Sequence, residues 1–198
     1  MIAQRAELAA YIDDGDALRR RRADRAFIHL QQSIVVDDEL AARWSDAFTK
    51  GETACERLGA VHLLSHGIWS FKVDGQGART DLVMAGRLEE HVDQVEAAAD
   101  ALALTEWKIA RTSAEVETRI GEAIEQARIY AGGILAPVEL TSTRYAVIVT
   151  KRTEPPRPSR RVDDVEWRIV LLAVDPSSPS KASKRTAASK RTAARKGR

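Results

Sequence analysis

The run LALTEWKIA, from Leu102 to Ala110, constrains the fold of this chain more than any other nine residues. It is apolar and holds both a β-branched residue and a tryptophan, so it reads as a buried strand. Successive strand side chains face opposite ways, which puts Leu102, Leu104, Glu106, Lys108 and Ala110 on one face. A carboxylate and an ammonium thus stand together in what should be core. Burying either charge unpaired costs roughly several kcal/mol. The fold around this strand must supply partners for both.

The elements on either side follow from apolar spacing and turn residues. Residues 4–32 read as helix, with Leu8, Ile12, Leu18, Phe27 and Leu30 as apolar positions and a break at DDGD, residues 13–16. The segment from Asp37 to Gly67 reads as helix interrupted near Gly51. Its second part, 52–65, repeats Cys55, Leu58, Val61 and Leu64 at helical spacing, and Gly67 ends it. IWSFKV (68–73) and ARTDLVM (78–84) are strand-like around the turn DGQG, which predicts a hairpin. Residues 87–101 are helix-like. Thr112 and Glu115 form a capping-box pattern before a helix that runs to about Tyr130 and is stopped by Gly132, Gly133 and Pro137. Strands are expected at 144–150 and 166–174, with the proline-rich segment 155–160 as a loop between them. Strands alternating with helices give an α/β layer pattern with a mixed sheet.

Three features converge on one edge of that sheet. Asp81 lies within the second strand, Glu106 and Lys108 share a face of the next, and Gln126 and Tyr130 stand one turn apart on the following helix. Two carboxylates on neighbouring strands suit a hard divalent cation such as Mg²⁺, which takes oxygen ligands and keeps several waters. A lysine beside them can stabilise developing negative charge or help form a nucleophilic hydroxide.

Asp81, Glu106-Trp107-Lys108 and the Gln126-Ala-Arg-Ile-Tyr130 segment together resemble the PD-(D/E)XK nuclease superfamily, in the branch with a Q-x-x-x-Y motif. The resemblance covers roughly residues 52–150 and includes the element order αβββαβ, the core of the restriction-endonuclease-like fold. ERLGAVHLLSHGIWSFKV is also similar to the first helix and strand of Holliday-junction resolvase-like members. The resemblance implies that Asp81 and Glu106 ligate Mg²⁺ or Mn²⁺, with the backbone carbonyl of Trp107 as a further ligand. It implies that Lys108 orients or activates the attacking water and that Glu56 acts through water in the outer shell. Gln126 and Tyr130 would steady the site and contact the DNA backbone. Two departures stand out: Thr80 occupies the family's proline position, and twenty-five positions separate Asp81 from Glu106, leaving room for an inserted helix at 87–101. Asp100 is the weaker competitor for the aspartate role, since it lies on helical sequence.

The charge distribution adds a partner. Lys181, Lys184, Arg185, Lys190, Arg191, Arg195, Lys196 and Arg198 face no acid after residue 180, so a net charge of +2 conceals about −6 in residues 1–180. ASKRTA occurs at 182–187 and again at 188–193. Residues 177–198 cannot build a core and are expected to be a disordered tail that attracts phosphate backbones. The same tail also suits a solubilising role, or one that folds back on the acidic body. RRRR at 19–22 fits either a solvated face or a second phosphate patch. The organisation expected is an N-terminal helical segment (1–36), a nuclease-like domain (37–176) and the tail.

The remaining residues narrow the chemistry. Cys55 is the single cysteine, which excludes an internal disulfide and a cysteine-based zinc site and suits a small buried hydrophobe. His62 and His66, four apart on a helix, are boundary histidines or, less favoured, metal ligands. Trp44, Trp69, Trp107 and Trp167 read as core anchors. DGQG is not followed by Lys-Ser/Thr, so no nucleotide-binding loop is expected. Without an eighteen-residue apolar run or a signal-peptide layout, a cytoplasmic chain with no membrane role is expected. The reading is a metal-dependent DNA nuclease tethered by its tail, with a homodimer or a specificity-conferring protein as partner. Its alternative is an inactive DNA-binding or complex-forming subunit.

Overall fold

A computed structural model of the chain describes residues 2–73, 79–81, 99–129 and 142–176, with side chains of residues 1–14, 72–81 and 129 outside that description. The helices are α1 (Ile2–Val36), α2 (Asp38–Lys50), α3 (Glu52–Ser65) and α4 (Val116–Ile129), the last entered through a short 3₁₀ turn at Ser113–Glu115. The strands are β1 (Ile68–Val73), β2 (Arg79–Asp81), β3 (Ala101–Ala110), β4 (Thr143–Thr150), β5 (Arg160–Val162) and β6 (Val165–Ala173). They form one six-stranded sheet in the order β2-β1-β3-β4-β6-β5. β1, β3, β4 and β6 are parallel, and β2 and β5 pair antiparallel at the two edges. The chain is therefore α/β with a mixed sheet.

Helices cover both faces of this sheet, so its central strands are buried on both sides. All ten residues of β3 are buried. Phe27, Leu30 and Ile34 of α1, Trp44 of α2 and Leu63 of α3 pack with Trp107 and Tyr145 on one face. Val116, Ile120, Ala123 and Ala127 pack with Leu102, Leu104, Ile148 and Trp167 on the other. The four tryptophans are all buried, as expected of anchors. No helix among the described residues is long and apolar enough to cross a membrane.

The helix ends match their residues. Asp37 caps α2 by accepting from Glu39 N at 2.9 Å and Leu40 N at 3.0 Å. Gly51, at φ 124°, both closes α2 and opens α3 in a conformation that only glycine adopts easily. The expected break at DDGD does not occur, and α1 continues through it. An interior glycine costs a helix only about 1 kcal/mol, which tertiary packing of Ala23, Phe27 and Leu30 outweighs. Three of the four arginines at 19–22 are ion-paired: Arg19 with Asp16 at 3.1 Å, Arg20 with Glu166 at 3.5 Å, and Arg22 with Asp100. β1 and β2 pair antiparallel as a hairpin requires, with Phe71 opposite Asp81, and the second strand is described only over Arg79–Asp81 of the expected 78–84. The loop expected at 155–160 is shortened at its end, because Arg160 starts β5. The helix-like segment 87–101 lies largely outside the described residues, and Ala101 at its end belongs to β3. Residues 177–198 also lie outside them.

α1 meets α3 through three imidazoles. His66 lies 5.1 Å from His29 and 4.8 Å from His62, ring centre to ring centre. His62 Nε2 donates to the Ala26 carbonyl at 3.0 Å. Burial holds both His62 and His66 below the ordinary imidazole range, and the neighbouring imidazoles push in the same direction. The folded state thus binds protons less readily than the unfolded chain. Stability from this cluster is present above the unfolded value and is lost as pH falls through it toward the folded values. Urea titrations at about pH 7 and about pH 5 test this, the range bracketing an ordinary histidine pKa. The midpoint should fall on acidification, and fall less in His29→Gln/His66→Gln. An equal fall in both proteins would remove the cluster as its cause.

Candidate active site at the open edge of β3

β1 and β3 pair only over Ile68–Phe71 and Ala101–Leu104. Beyond Leu104, the opposite edge of β3 continues to pair with β4 from Thr105 to Ala110. No strand among the described residues covers the β1-side edge there. The first turn of α3 fills part of that gap: Glu52 Oε1 accepts from Ile109 N at 3.4 Å. Backbone groups of residues two apart in a strand point to the same edge, so the Trp107 carbonyl faces this opening too.

The two charges of β3 find their partners at this opening. Lys108 Nζ donates to Glu106 Oε1 at 3.1 Å, to Gln126 Oε1 at 2.7 Å and to Glu52 Oε2 at 3.4 Å. Each of the three ammonium protons has an acceptor. The side chains of Lys108 and Glu106 are 10% and 5% exposed, whereas that of Glu52 is 41% exposed. The pair is therefore buried, with Glu52 and Gln126 closing it from the solvent side. Glu56 is 2% exposed and lies one turn beyond Glu52 on the same face of α3.

Gln126 reaches Lys108 because α4 starts in a fixed place. Glu115 accepts from Arg111 N at 2.9 Å and from Thr112 Oγ1 at 3.1 Å. The Arg111 backbone bond, then the Thr112 hydroxyl, hold its carboxyl below the usual range. This is half of the expected capping box, shifted by one residue, since Thr112 makes no side-chain cap to the backbone.

The sequence-predicted residues are thus placed unevenly. Glu106, Lys108 and Gln126 are brought into contact, and Glu56 stands nearby on α3. Asp81 is opposite Phe71, which is itself opposite Leu104, two residues before Glu106. Cross-strand partners share a face, so position 81 belongs to the sheet face of Glu106; its side chain lies outside the described residues. Tyr130 and the eight tail cations also lie outside them. Asp100 precedes β3 and pairs with Arg22. It is about 20 Å along the strand from Glu106 at ~3.3 Å per residue. That removes it from this site. Among the described residues, no group of three or more His, Cys, Asp or Glu side chains is gathered as a cation site, His62 and His66 included.

Glu52 is the residue that sequence reasoning missed. The available signal was its spacing: it sits four residues before Glu56, in the first turn after Gly51. Cys55, between them, is fully buried, and burial followed by the Glu52 charge pushes its thiol up to about 12. It is an inert packing residue. No protein-family model, curated protein or solved structure matches this chain.

Proposed function

We propose that this chain is a metal-dependent DNA nuclease built on a restriction-endonuclease-like core of the PD-(D/E)XK kind. The observation that carries the reading is the buried Glu106–Lys108 pair at 3.1 Å, held where, among the described residues, the pairing of β1 with β3 has stopped. The donors that would hold Mg²⁺ or Mn²⁺ are the Glu106 carboxylate, the Trp107 carbonyl and Asp81. All are hard oxygens, as these ions require. A bound ion of this type lowers the pKa of water and neutralises charge on a phosphoryl oxygen.

The chain's own residues have defined tasks in this reading. Lys108 donates hydrogen bonds toward the attacking water and the developing negative charge. Gln126 fixes the Lys108 ammonium at 2.7 Å, and the more exposed Glu52 is the partner that yields most readily to substrate. Glu56 acts on the site through water. Tyr130 and the tail from Lys181 to Arg198 contact the DNA backbone, adding affinity without sequence choice.

The test is cleavage of supercoiled and linear plasmid with Mg²⁺ or Mn²⁺, run in parallel with Lys108→Ala. Metal-dependent nicking is expected in the natural chain, with a loss of about 10²-fold or more in the variant. Equal DNA binding by both proteins with no cleavage by either supports the second reading, a DNA-binding subunit.

A further inference from the structure

β3, β4 and β6 are parallel, so their C-terminal ends open on the same side of the sheet. A cleft of about 430 Å³ lies there, between these ends and the C-terminal half of α2. Its buried floor is Phe48 and Val174. The residues that follow β3 and β4, Arg111 and Lys151, bring two cations to it. Ser45 and Thr49 add hydroxyls from α2, and Asp175 adds one carboxylate.

The walls of this cleft are fixed. Val174 N donates to Thr150 O at 3.0 Å and Asp175 N to Lys151 O at 2.8 Å, extending the β4–β6 pairing past the strand ends. The Arg111 guanidinium carbon lies 5.7 Å from the Phe48 ring centre, which orients its donors without consuming them. Among the described residues neither Arg111 nor Lys151 is in a close ion pair, and the Arg111 charge acts on Glu115 only at longer range. That separates them from Arg19, Arg20 and Arg22, which are neutralised within the fold. Two cations against one carboxylate, above an apolar floor at the strand ends of an α/β sheet, suit an anionic ligand.

Position selects the ligand. Arg111 follows Lys108 by three residues, roughly 10 Å along the strand direction at ~3.3 Å per residue, and faces the α2 side of the sheet, so the two are joined around the C-terminal end of β3. DNA advances about 3.4 Å along the helix axis per phosphate of each strand. A DNA strand held at Lys108 passes over the C-terminal end of β3 to reach this cleft, at least about three such steps away.

We propose that this cleft binds a backbone phosphate of DNA near the phosphate at Lys108, with Arg111 and Lys151 as its two cationic contacts. The inference rests on the nuclease reading for the position of the DNA, but not on cleavage. The experiment is fluorescence anisotropy of a labelled DNA duplex with the full chain in EDTA, across a salt series. Arg111→Ala/Lys151→Ala should weaken binding about tenfold, with a salt slope smaller by about 1. Lys151→Glu, a single exposed substitution, should weaken it at least as much. Unchanged affinity and slope in both variants would overturn the proposal. A calorimetric titration with inorganic phosphate supplies the second arm. If the double variant loses phosphate binding yet keeps its DNA affinity, the cleft is a free-anion pocket and the proposal fails. Wild-type chain that binds DNA through the cleft but never cleaves plasmid would sink the nuclease reading alone. Lys108-dependent cleavage with unaltered binding in both cleft variants would sink the cleft alone.

Discussion

Lys108→Met is expected to lower folding stability by about 2–4 kcal/mol, because it removes one half of a buried, hydrogen-bonded charge pair. The three contacts of Nζ do not share this loss equally. Glu52 is 41% exposed and 3.4 Å away, so solvent screens most of that interaction. The bond to Gln126 is short, but its acceptor is neutral. The Glu106 contact at 3.1 Å, between side chains 10% and 5% exposed, carries most of the effect. A double-mutant cycle with Glu106→Gln isolates it. The stability loss of Lys108→Met/Glu106→Gln in urea should be smaller than the two single losses together, by a coupling of about 1–3 kcal/mol. Additivity within about 0.5 kcal/mol would show that the pair does not interact and that other packing sets the cost. Plasmid cleavage should not return in the double variant, since both chemistry-bearing groups are then gone. Stability and activity thus move apart, as a reactive pair requires and a structural one does not.

Much of this arrangement was legible in the sequence because it rests on strand alternation. The period of two on β3 alone placed Glu106 and Lys108 on one face and Trp107 on the other. The glycines at 51 and 67 marked real helix ends because their backbones take φ 124° and 71°. Glu52 was hidden because its contacts come from a part of the chain more than fifty residues away from Lys108. No local pattern records that approach. β5 was hidden for a different reason. Val162 and Val165 pair across a two-residue turn formed by Asp163 and Asp164, at φ 51° and 62°. Positive φ at both central positions is the tight-hairpin geometry that Asn-Gly usually signals. Asp-Asp adopts it less readily, so the sequence gives only a faint sign. The site's second strand is legible only as a register, Phe71 opposite Asp81, which sets a face and no more.

Gly59→Ala separates local propensity from tertiary packing by the sign of its effect. In an isolated helix, replacing an interior glycine with alanine gains about 1 kcal/mol. Here α3 lies so close to β3 that a Cβ at position 59 would stand 2.1 Å from the Trp107 indole, with a second ring carbon at 2.3 Å. The indole cannot swing away, because it is 2% exposed, stacks 6.2 Å from Trp44 and donates from Nε1 to Thr105 Oγ1 at 3.1 Å. Thr105 in turn shares a 2.6 Å hydrogen bond with Ser70 of β1. Either the indole shifts and strains this chain, or α3 lifts from the sheet and carries Glu52 and Glu56 with it. Overpacking of this kind costs about 1–3 kcal/mol and sometimes more, and at a 2.1 Å approach it outweighs the propensity gain. A net loss of about 1 kcal/mol should lower the thermal midpoint by about 2–4 °C in a chain of this size. A raised midpoint would mean that α3 yields easily and that its closeness to Trp107 does not fix the site. If instead the helix lifts, Lys108-dependent plasmid cleavage should fall even below the unfolding transition. Trp107→Phe in the same chain makes room at the crowded ring atoms, and should restore part of both.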